Sequence, residues 1–157
     1  MTLADILRTK GSEVLTISPD ATLDDVVQTL VRHNCGSLIV CAAEPVPAEP
    51  VPAEPGTASR RMLGIITERD ILKACAARRG PLDQLRVRDC MTAQPVIGAA
   101  TDQVEKAMGL MTEKRIRHLP ILQGDELVGM ISIGDLVKAQ HDQFAVENHY
   151  MKSYIQG

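Results

Sequence analysis

The sequence predicts an α+β fold in which a strand-helix-strand-strand-helix unit occurs twice. Three observations lead to this fold class. The heptapeptide GIITERD at Gly64–Asp70 returns as GMISIGD at Gly129–Asp135. Apolar residues at helical spacing precede each copy, and further apolar residues at that spacing follow it. Short apolar runs with strand character lie between the first helix and each heptapeptide, so both halves of the chain carry the same order of elements.

The first helix of each unit is predicted from apolar residues spaced three and four apart. The stripe consists of Leu23, Val26, Val27, Leu30 and Val31 in the first unit, and of Val104, Ala107, Met108 and Met111 in the second. Thr22, followed by Asp25 three residues later, is typical of a helix N-terminus. Thr101 and Asp102 precede the second stripe.

Two strands and a second helix complete each unit. The predicted strands are Ser37–Cys41 and Met62–Ile66 in the first unit, and Leu119–Leu122 and Leu127–Ile131 in the second. Gln123-Gly124-Asp125-Glu126 predicts a hairpin turn between the latter two strands. The second helices are predicted from Glu68 to about Arg79, where Gly80-Pro81 would end the helix, and from Ile133 towards Gln140.

The predicted domains follow chain order. Residues 1–80 form the first repeat, residues 81–140 the second, and residues 141–157 a C-terminal helical extension that packs on the module or on a second copy. Residues 42–61 carry five of the nine prolines and the sequence PVPAE twice, which predicts an extended loop inserted into the first repeat. The alternative interpretation is that this segment is a ligand for an SH3-like domain. The loop insertion is the favoured interpretation, because lengthening an exposed loop costs little free energy.

Composition excludes several classes of protein. With 2% aromatic residues, no Trp and a net charge of −3, the chain lacks the stacking side chains and the basic surface that nucleic-acid or anionic-membrane binding requires. The N-terminal residues show no secretory signal, and the four scattered cysteines form no C-x-x-C pair. A soluble, cytoplasmic protein with an aliphatic core is expected.

The repeated heptapeptide admits two interpretations. Thr67 and Ser132 fall at predicted helix starts, with Asp70 and Asp135 three residues later, which is the pattern of a capping box. The same geometry can bind a ligand, because a helix N-terminus attracts phosphate and a carboxylate can accept hydrogen bonds from ribose hydroxyls. The glycine that opens each heptapeptide would either admit a flat base or relieve crowding.

Basic residues near these helix starts favour an anionic ligand. Arg115, Arg117 and His118 lie in the connector of the second unit, and Arg69 lies inside the first heptapeptide. The alternative is that the arginines belong to a solvated loop or pair with nearby Glu113 and Asp102. The residues alone indicate an anionic, hydroxyl-bearing ligand and do not identify it.

From about Leu3 to Lys138 the sequence resembles a tandem pair of CBS domains, known as a Bateman module. GIITERD, GMISIGD and IRHLPI carry the resemblance, in register in two successive repeats. The chain is similar to stand-alone pairs found as small bacterial signal-transduction proteins. The resemblance implies two pseudo-twofold-related β-α-β-β-α repeats, each a small sheet with two helices, packed sheet to sheet.

The resemblance also implies adenosine-containing ligands: AMP, ADP or ATP, S-adenosylmethionine, and NAD(H) in a second, non-equivalent site. Asp70 and Asp135 would hold ribose hydroxyls, while Thr67 and Ser132 would reach phosphate. The ligand-binding residues it implies are Thr16, Ile17, Gly36, Ser37, Leu38, Thr67, Arg69, Asp70, Val96, Ile97, Arg115, Arg117, His118, Pro120, Ser132, Gly134 and Asp135. Since Gly134 replaces Arg69 and the connectors differ, the two sites should not be equivalent. No metal is expected as essential.

The function predicted on this basis is a non-catalytic, adenine-nucleotide-binding regulatory module, assembled as a homodimer, that acts on an unidentified protein. An enzyme is disfavoured, because the sequence contains no H-E-x-x-H motif, no Ser-His-Asp order and no glycine-rich phosphate loop. The alternative is a protein-binding or thiol-redox adaptor without a nucleotide, in which Cys35 and Cys41 would have to be exposed and activated.

Overall fold

The computed structural model describes residues 1–42 and 62–156. Residues 43–61 of the predicted proline-rich loop lie outside this range. The elements in chain order are α1 (Leu3–Lys10), β1 (Thr16–Ile17), α2 (Leu23–His33), β2 (Ser37–Cys41), β3 (Met62–Thr67), α3 (Glu68–Ala76), α4 (Val87–Cys90), β4 (Gly98–Ala99), α5 (Val104–Lys114), β5 (His118–Gln123), β6 (Glu126–Ser132) and α6 (Ile133–Gln156). None of the helices in this part of the chain combines the length and the apolar character needed to cross a bilayer.

The described strands form two three-stranded sheets with the same topology, in the orders β1-β2-β3 and β4-β5-β6. The short first strand of each sheet runs parallel to the second, with Ile17 opposite Val40 and Gly98 opposite Ile121. In the first sheet β2 and β3 are antiparallel, and Ser37 lies opposite Thr67. The α+β class and the repeated strand-helix-strand-strand-helix order are confirmed.

One compact unit contains the first repeat and consists of Val14–Val96 with Asp125–Leu127. Its core is aliphatic, as the composition predicts, and is formed by Leu23, Val26, Leu30, Leu38, Val40, Ile66, Ala74 and Val87. Val87 belongs to α4, and its amide donates to the carbonyl of Ala21 at 2.9 Å. The helix that leads into the second repeat is therefore part of the first-repeat unit.

The other compact unit contains the second repeat and consists of Met1–Glu13, Ile97–Gly124 and Val128–Gly157. Helix α1 belongs to it, since the Leu3 amide donates to the Asp102 carbonyl at 2.9 Å and the Leu3 side chain is fully buried. A Cβ added at Gly98 would lie 2.9 Å from Leu119 Cδ2 and 3.3 Å from Leu3 Cδ1, so the glycine allows α1 to pack closely on this sheet. The predicted boundaries at residues 80 and 140 divide the chain strictly in sequence order. In the structure, α1 precedes the first repeat but belongs to the second-repeat unit, and α4 precedes the second repeat but belongs to the first-repeat unit.

Most element bounds match the sequence prediction, and the differences are local. Helix α3 ends at Ala76 rather than near Arg79, and Arg78 adopts the left-handed conformation with φ 52°. Helix α5 begins at Val104, and its N-cap residue, Gln103, makes no side-chain cap. The Asp102 carboxylate accepts from the Ala99 amide, outside the helix. The helix predicted from Ile133 towards Gln140 and the helical extension predicted after it form one continuous helix, α6, which ends at Gln156.

Candidate functional site

The two junctions between a heptapeptide strand and its following helix have the same construction. At the first, β3 passes into α3 and the Glu68 amide donates to the Gly36 carbonyl at 3.1 Å. At the second, β6 passes into α6 and the Ile133 amide donates to the Arg117 carbonyl at 2.9 Å. These matched bonds hold the helix-to-strand connector of each repeat against a helix N-terminus, where backbone N–H groups and positive potential favour anions.

The first junction contains a complete capping box. Asp70 Oδ2 accepts from the Thr67 amide at 3.0 Å, and the Asp70 amide donates to Thr67 Oγ1 at 3.3 Å. The second carboxylate oxygen, Oδ1, accepts from Thr92 Oγ1 at 3.3 Å. Asp70 is only 8% exposed, so both of its oxygens are already engaged in a largely buried setting.

The second junction has the same box and a different third partner. Asp135 Oδ2 accepts from the Ser132 amide at 2.8 Å, and the Asp135 amide donates to Ser132 Oγ at 3.1 Å. Lys10 Nζ lies 2.6 Å from the same carboxylate oxygen, and the Asp135 side chain is 25% exposed. Partial burial acts to raise the pKa of Asp135, but the hydrogen bonds from Lys10 and Ser132 outweigh it and hold the pKa below its ordinary value.

Lys10 replaces two groups that Thr92 supplies at the first junction. The Thr92 amide donates to the Ile65 carbonyl at 2.8 Å, and its hydroxyl donates to Asp70. In the second repeat Lys10 Nζ donates to the Met130 carbonyl at 2.7 Å as well as to Asp135. Met130 and Ile65 hold matching places in the heptapeptides. The Lys10 ammonium group therefore makes the two hydrogen bonds that the Thr92 amide and hydroxyl make at the first junction.

The heptapeptide glycines lie in crowded places, which favours relief of crowding as their role, most strongly at Gly64, where the neighbour is backbone. A Cβ at Gly64 would lie 2.3 Å from the Thr92 carbonyl oxygen, and one at Gly129 would lie 2.6 Å from Leu7 Cδ2. The space beside each glycine is therefore filled by a lead-in helix or by the segment that follows one. Relief of crowding accounts for these glycines without a bound base.

Two of the predicted basic residues, Arg69 and Arg117, lie at the starts of α3 and α6. Arg69 is exposed in the first turn of α3, and Gly134 is exposed at the matching place in α6. Arg117 is exposed beside Ile133, and Arg115 adopts the left-handed conformation at the end of α5. His118 begins β5 and is half-buried. The acids proposed as alternative partners have lysine partners, since Asp102 pairs with Lys106 at 2.7 Å and Glu113 lies 3.9 Å from Lys114.

The predicted side walls of the sites are only partly open. Gly36 is half-buried and Ser37 is 8% exposed next to Thr67. Leu38, in contrast, is fully buried in the core of its unit, and Pro120 is buried in β5. The Leu38 side chain therefore packs inward rather than forming an open wall.

The resemblance implies that Thr16 and Ile17 border the base of one ligand and that Val96 and Ile97 border the base of the other. The strand pairing moves the second pair by one position. Thr16 and Ile17 are half-buried and form β1, opposite Ile39 and Val40. Since Gly98 lies opposite Ile121, which matches Val40, the structural counterparts of Thr16 and Ile17 are Ile97 and Gly98 rather than Val96 and Ile97.

Sequence reasoning missed Lys10 and Thr92. Neither belongs to the heptapeptides, and they lie 125 and 22 residues from the carboxylates that they contact. The only signal available was that each follows one of two similar lead-in segments, LADIL at Leu3–Leu7 and VRDCM at Val87–Met91. This similarity does not show which heptapeptide each segment will contact.

The two thiols that the adaptor alternative requires, Cys35 and Cys41, are half-buried and buried. All four cysteines occur as thiols; Cys41 is buried, Cys35 and Cys90 are half-buried and Cys75 is exposed. Burial is the main cause that raises the pKa of Cys90, which lowers its thiolate fraction at neutral pH. Among the described residues, no group of three or more His, Cys, Asp or Glu side chains is placed to hold a metal ion.

A protein-family model matches two segments of the chain, one in each repeat. The model of the CBS domain matches residues 3–46 and 87–142, which is more than half of the chain. The chain belongs to the CBS domain family. The two matched segments identify it as a tandem CBS pair, and they include both lead-in helices and the connector at Arg117.

Individual CBS proteins resemble the chain over most of its length. The CBS domain-containing protein CBSX3, mitochondrial, from Arabidopsis thaliana is 32% identical over 162 residues, covering 99% of this chain and 72% of the relative. The crystal structure of the CBS-domain protein ATU1752 from Agrobacterium tumefaciens gives a TM-score of 0.75 at 33% identity, covering 88% and 92% of the two chains. The CBS domain protein PAE2072 from Pyrobaculum aerophilum, solved in complex with AMP, gives a TM-score of 0.66 at 26% identity, covering 86% and 89%.

Proposed function

We propose that this CBS pair is a non-catalytic regulatory module that binds adenosine-containing nucleotides at its two strand-to-helix junctions. The observation that carries the proposal is the matched pair of junctions, each with a hydroxyl at the N-cap, a carboxylate at the third helical position and a connector bonded to the first helical amide. Such a junction offers an anion site and a ribose acceptor side by side. The AMP complex of PAE2072 supports an adenine nucleotide as the ligand.

The second-repeat junction is proposed as the phosphate-binding site of higher charge. Arg117 and His118 lie beside the start of α6, and Lys10 adds an ammonium group on Asp135. A nucleotide that uses Asp135 for its ribose must share that carboxylate with Lys10, which can then turn to the phosphate. AMP, ADP or ATP is the ligand proposed here, with Ser132 at the phosphate.

The first-repeat junction is proposed as the non-equivalent site. Arg69 supplies its cation, and Gly36 and Ser37 leave a connector with small side chains. NAD(H) is the ligand proposed for this junction. Because Asp70 is 8% exposed and bonded to Thr67 and Thr92, a ligand here has to displace the Thr92 hydroxyl before it reaches the carboxylate.

Regulation follows from differential binding. A nucleotide stabilises whichever arrangement of the module or its homodimer binds it more tightly, and the effect on a regulated protein is limited to that difference in affinity. We also propose a cytoplasmic location, a homodimer and a regulated protein partner.

The proposal is tested by thermal unfolding and calorimetric titration with AMP, ADP, ATP, NAD, NADH, S-adenosylmethionine and, as a control, GMP. Ligand at about a hundred times its Kd should stabilise the protein by roughly 2.7 kcal/mol, a shift of about 5–10 °C for a chain of this size. Asp135→Asn should abolish the shift with the ligand of the second junction, and Asp70→Asn that of the first.

Asp25→Asn is the matched control, since Asp25 occupies the same capping-box position at α2 and lies outside both junctions. It should lose a cap without losing the ligand shift. No shift with any nucleotide would reduce the heptapeptides to helix caps and would favour the protein-binding adaptor. Consumption of the bound nucleotide, followed by chromatography, would contradict a non-catalytic role.

A further inference from the structure

Helix α6 continues beyond the second CBS repeat with an apolar surface that its own unit does not cover. Every residue from His141 to Gln156 is exposed. The chain has one Phe, two Tyr and no Trp, and all three aromatic residues, Phe144, Tyr150 and Tyr154, lie in this segment. Aromatic residues and methionine are enriched at protein interfaces, whereas a solvated helix gains nothing from them.

The exposed residues contain a narrow stripe with alternating spacings of four and three residues. The stripe, called the seam below, consists of Val137, His141, Phe144, Asn148, Met151 and Ile155. Its four apolar members are between 54% and 79% exposed. Spacing of this kind is the heptad pattern of a coiled coil, with Val137, Phe144 and Met151 at the d positions and His141, Asn148 and Ile155 at the a positions.

We propose that the seam pairs with the seam of a second copy as a short, parallel, two-stranded coiled coil. Asn148 favours this orientation, because a-position residues face each other in a parallel pair, so that the two amides can bond together. An antiparallel pair would set Asn148 against an apolar d-position residue and leave its amide without a partner.

The flanking charges agree with the same arrangement. Glu147 precedes Asn148 at a g position, and Lys152 follows Met151 at an e position. In a parallel pair in register, the g residue of one helix lies next to the following e residue of the other, so Glu147 faces Lys152 of the second copy. Val146 and Tyr150 lie away from the seam.

The proposal goes beyond the CBS fold and the nucleotide. The CBS family match ends at residue 142, so most of the seam lies beyond the part of the chain that the family model describes. The association needs no ligand, and it is therefore tested in nucleotide-free protein.

The first test compares two substitutions that should have similar effects if the protein is a monomer. Phe144 and Val146 are both 55% exposed on the same helix, but only Phe144 lies in the seam. In sedimentation equilibrium, Phe144→Ser should raise the Kd of the dimer at least about tenfold, whereas Val146→Ser should leave it within about twofold. Equal effects of the two changes, or a wild type that stays monomeric at all concentrations, would overturn the proposal.

The second test fixes the orientation by disulfide cross-linking in a Cys75→Ser background, which removes the exposed native thiol. Asn148→Cys should cross-link to itself under mild oxidation, and Ser153→Cys, on the opposite side of α6, should not. A cross-link that forms only when Asn148→Cys is mixed with Phe144→Cys would show an antiparallel pair and contradict the parallel seam. A dimer that cross-links in neither experiment associates through another face, which also rules the seam out.

Discussion

Asp70 and Asp135 occupy the same position in the two heptapeptides, but their electrostatic surroundings differ. Asp70 is closed in by two hydroxyl groups, while Asp135 shares an oxygen with an ammonium group. The difference arises outside the repeated motif, in the lead-in helices and the segments that follow them. Lys10 and Thr92 therefore add to the difference that Arg69 and Gly134 already make between the two junctions.

Lys10→Met is expected to destabilise the protein by about 0.5–1 kcal/mol near neutral pH, a small value because both side chains of the pair are partly exposed to screening solvent. In the wild type the pKa of Asp135 lies below its ordinary value. Its contribution to stability is therefore present above the unfolded-state pKa of about 4 and is lost as pH falls through the lower folded-state pKa. Thermal unfolding of the two proteins should accordingly differ at pH about 6–7 and converge as the pH falls below about 4.

A double-mutant cycle with Asp135→Asn isolates the pair. In that background Lys10→Met should lose its pH-dependent component. If the effect of Lys10→Met on the otherwise wild-type protein instead stays constant through the acid range, Lys10 acts through the Met130 carbonyl alone.

At the scale of helices and strands, the sequence predicts the features that are set by residues close together in the chain, such as helix caps. The capping boxes at Thr22 and Thr67 are set by residues three apart, and both form as the sequence predicts. The end of α3 was placed too late, because Gly80-Pro81 marks the latest possible end and Arg78 already leaves the helix in the left-handed conformation. The helical extension predicted at residues 141–157 forms, but it is continuous with the helix that begins at Ile133. The absence of glycine and proline between Gln140 and Gly157 agrees with this continuity, which the loose apolar pattern alone did not show.

Two threonine caps separate the structural role of the heptapeptide from its proposed ligand role. Thr22→Ala and Thr67→Ala each remove the acceptor for an amide three residues later, so each should cost about 1 kcal/mol of stability. Only Thr67→Ala should also weaken nucleotide binding, since Thr22 caps α2 away from the heptapeptides. Chemical denaturation gives the first quantity and calorimetric titration the second. Equal nucleotide affinity in both variants would leave Thr67 with capping as its only role.

At the scale of the whole molecule, each compact unit is completed by a helix from the other half of the chain. Helix α1 belongs to the second-repeat unit and α4 to the first-repeat unit. The sequence shows that the two lead-in segments resemble each other, but resemblance carries no information about which sheet each will cover. The contacts of Lys10 and Thr92 follow from this exchange, which is why local reasoning could not find them.

Leu3 and Val87 provide a matched test of the exchange, because each is fully buried near the start of its lead-in helix. Leu3→Ala should cost roughly 2–5 kcal/mol, and Val87→Ala less because it removes fewer methyl groups. In native-state hydrogen exchange, Leu3→Ala should lower the protection of β4, β5 and β6 most, far from it in sequence. Val87→Ala should lower the protection of β1, β2 and β3 most. The reverse pattern, in which Leu3→Ala weakens the first sheet and Val87→Ala the second, would contradict the exchange. The lead-in helices would then not stabilise the sheets they contact, and the repeats would be stable units in chain order with boundaries near residues 80 and 140.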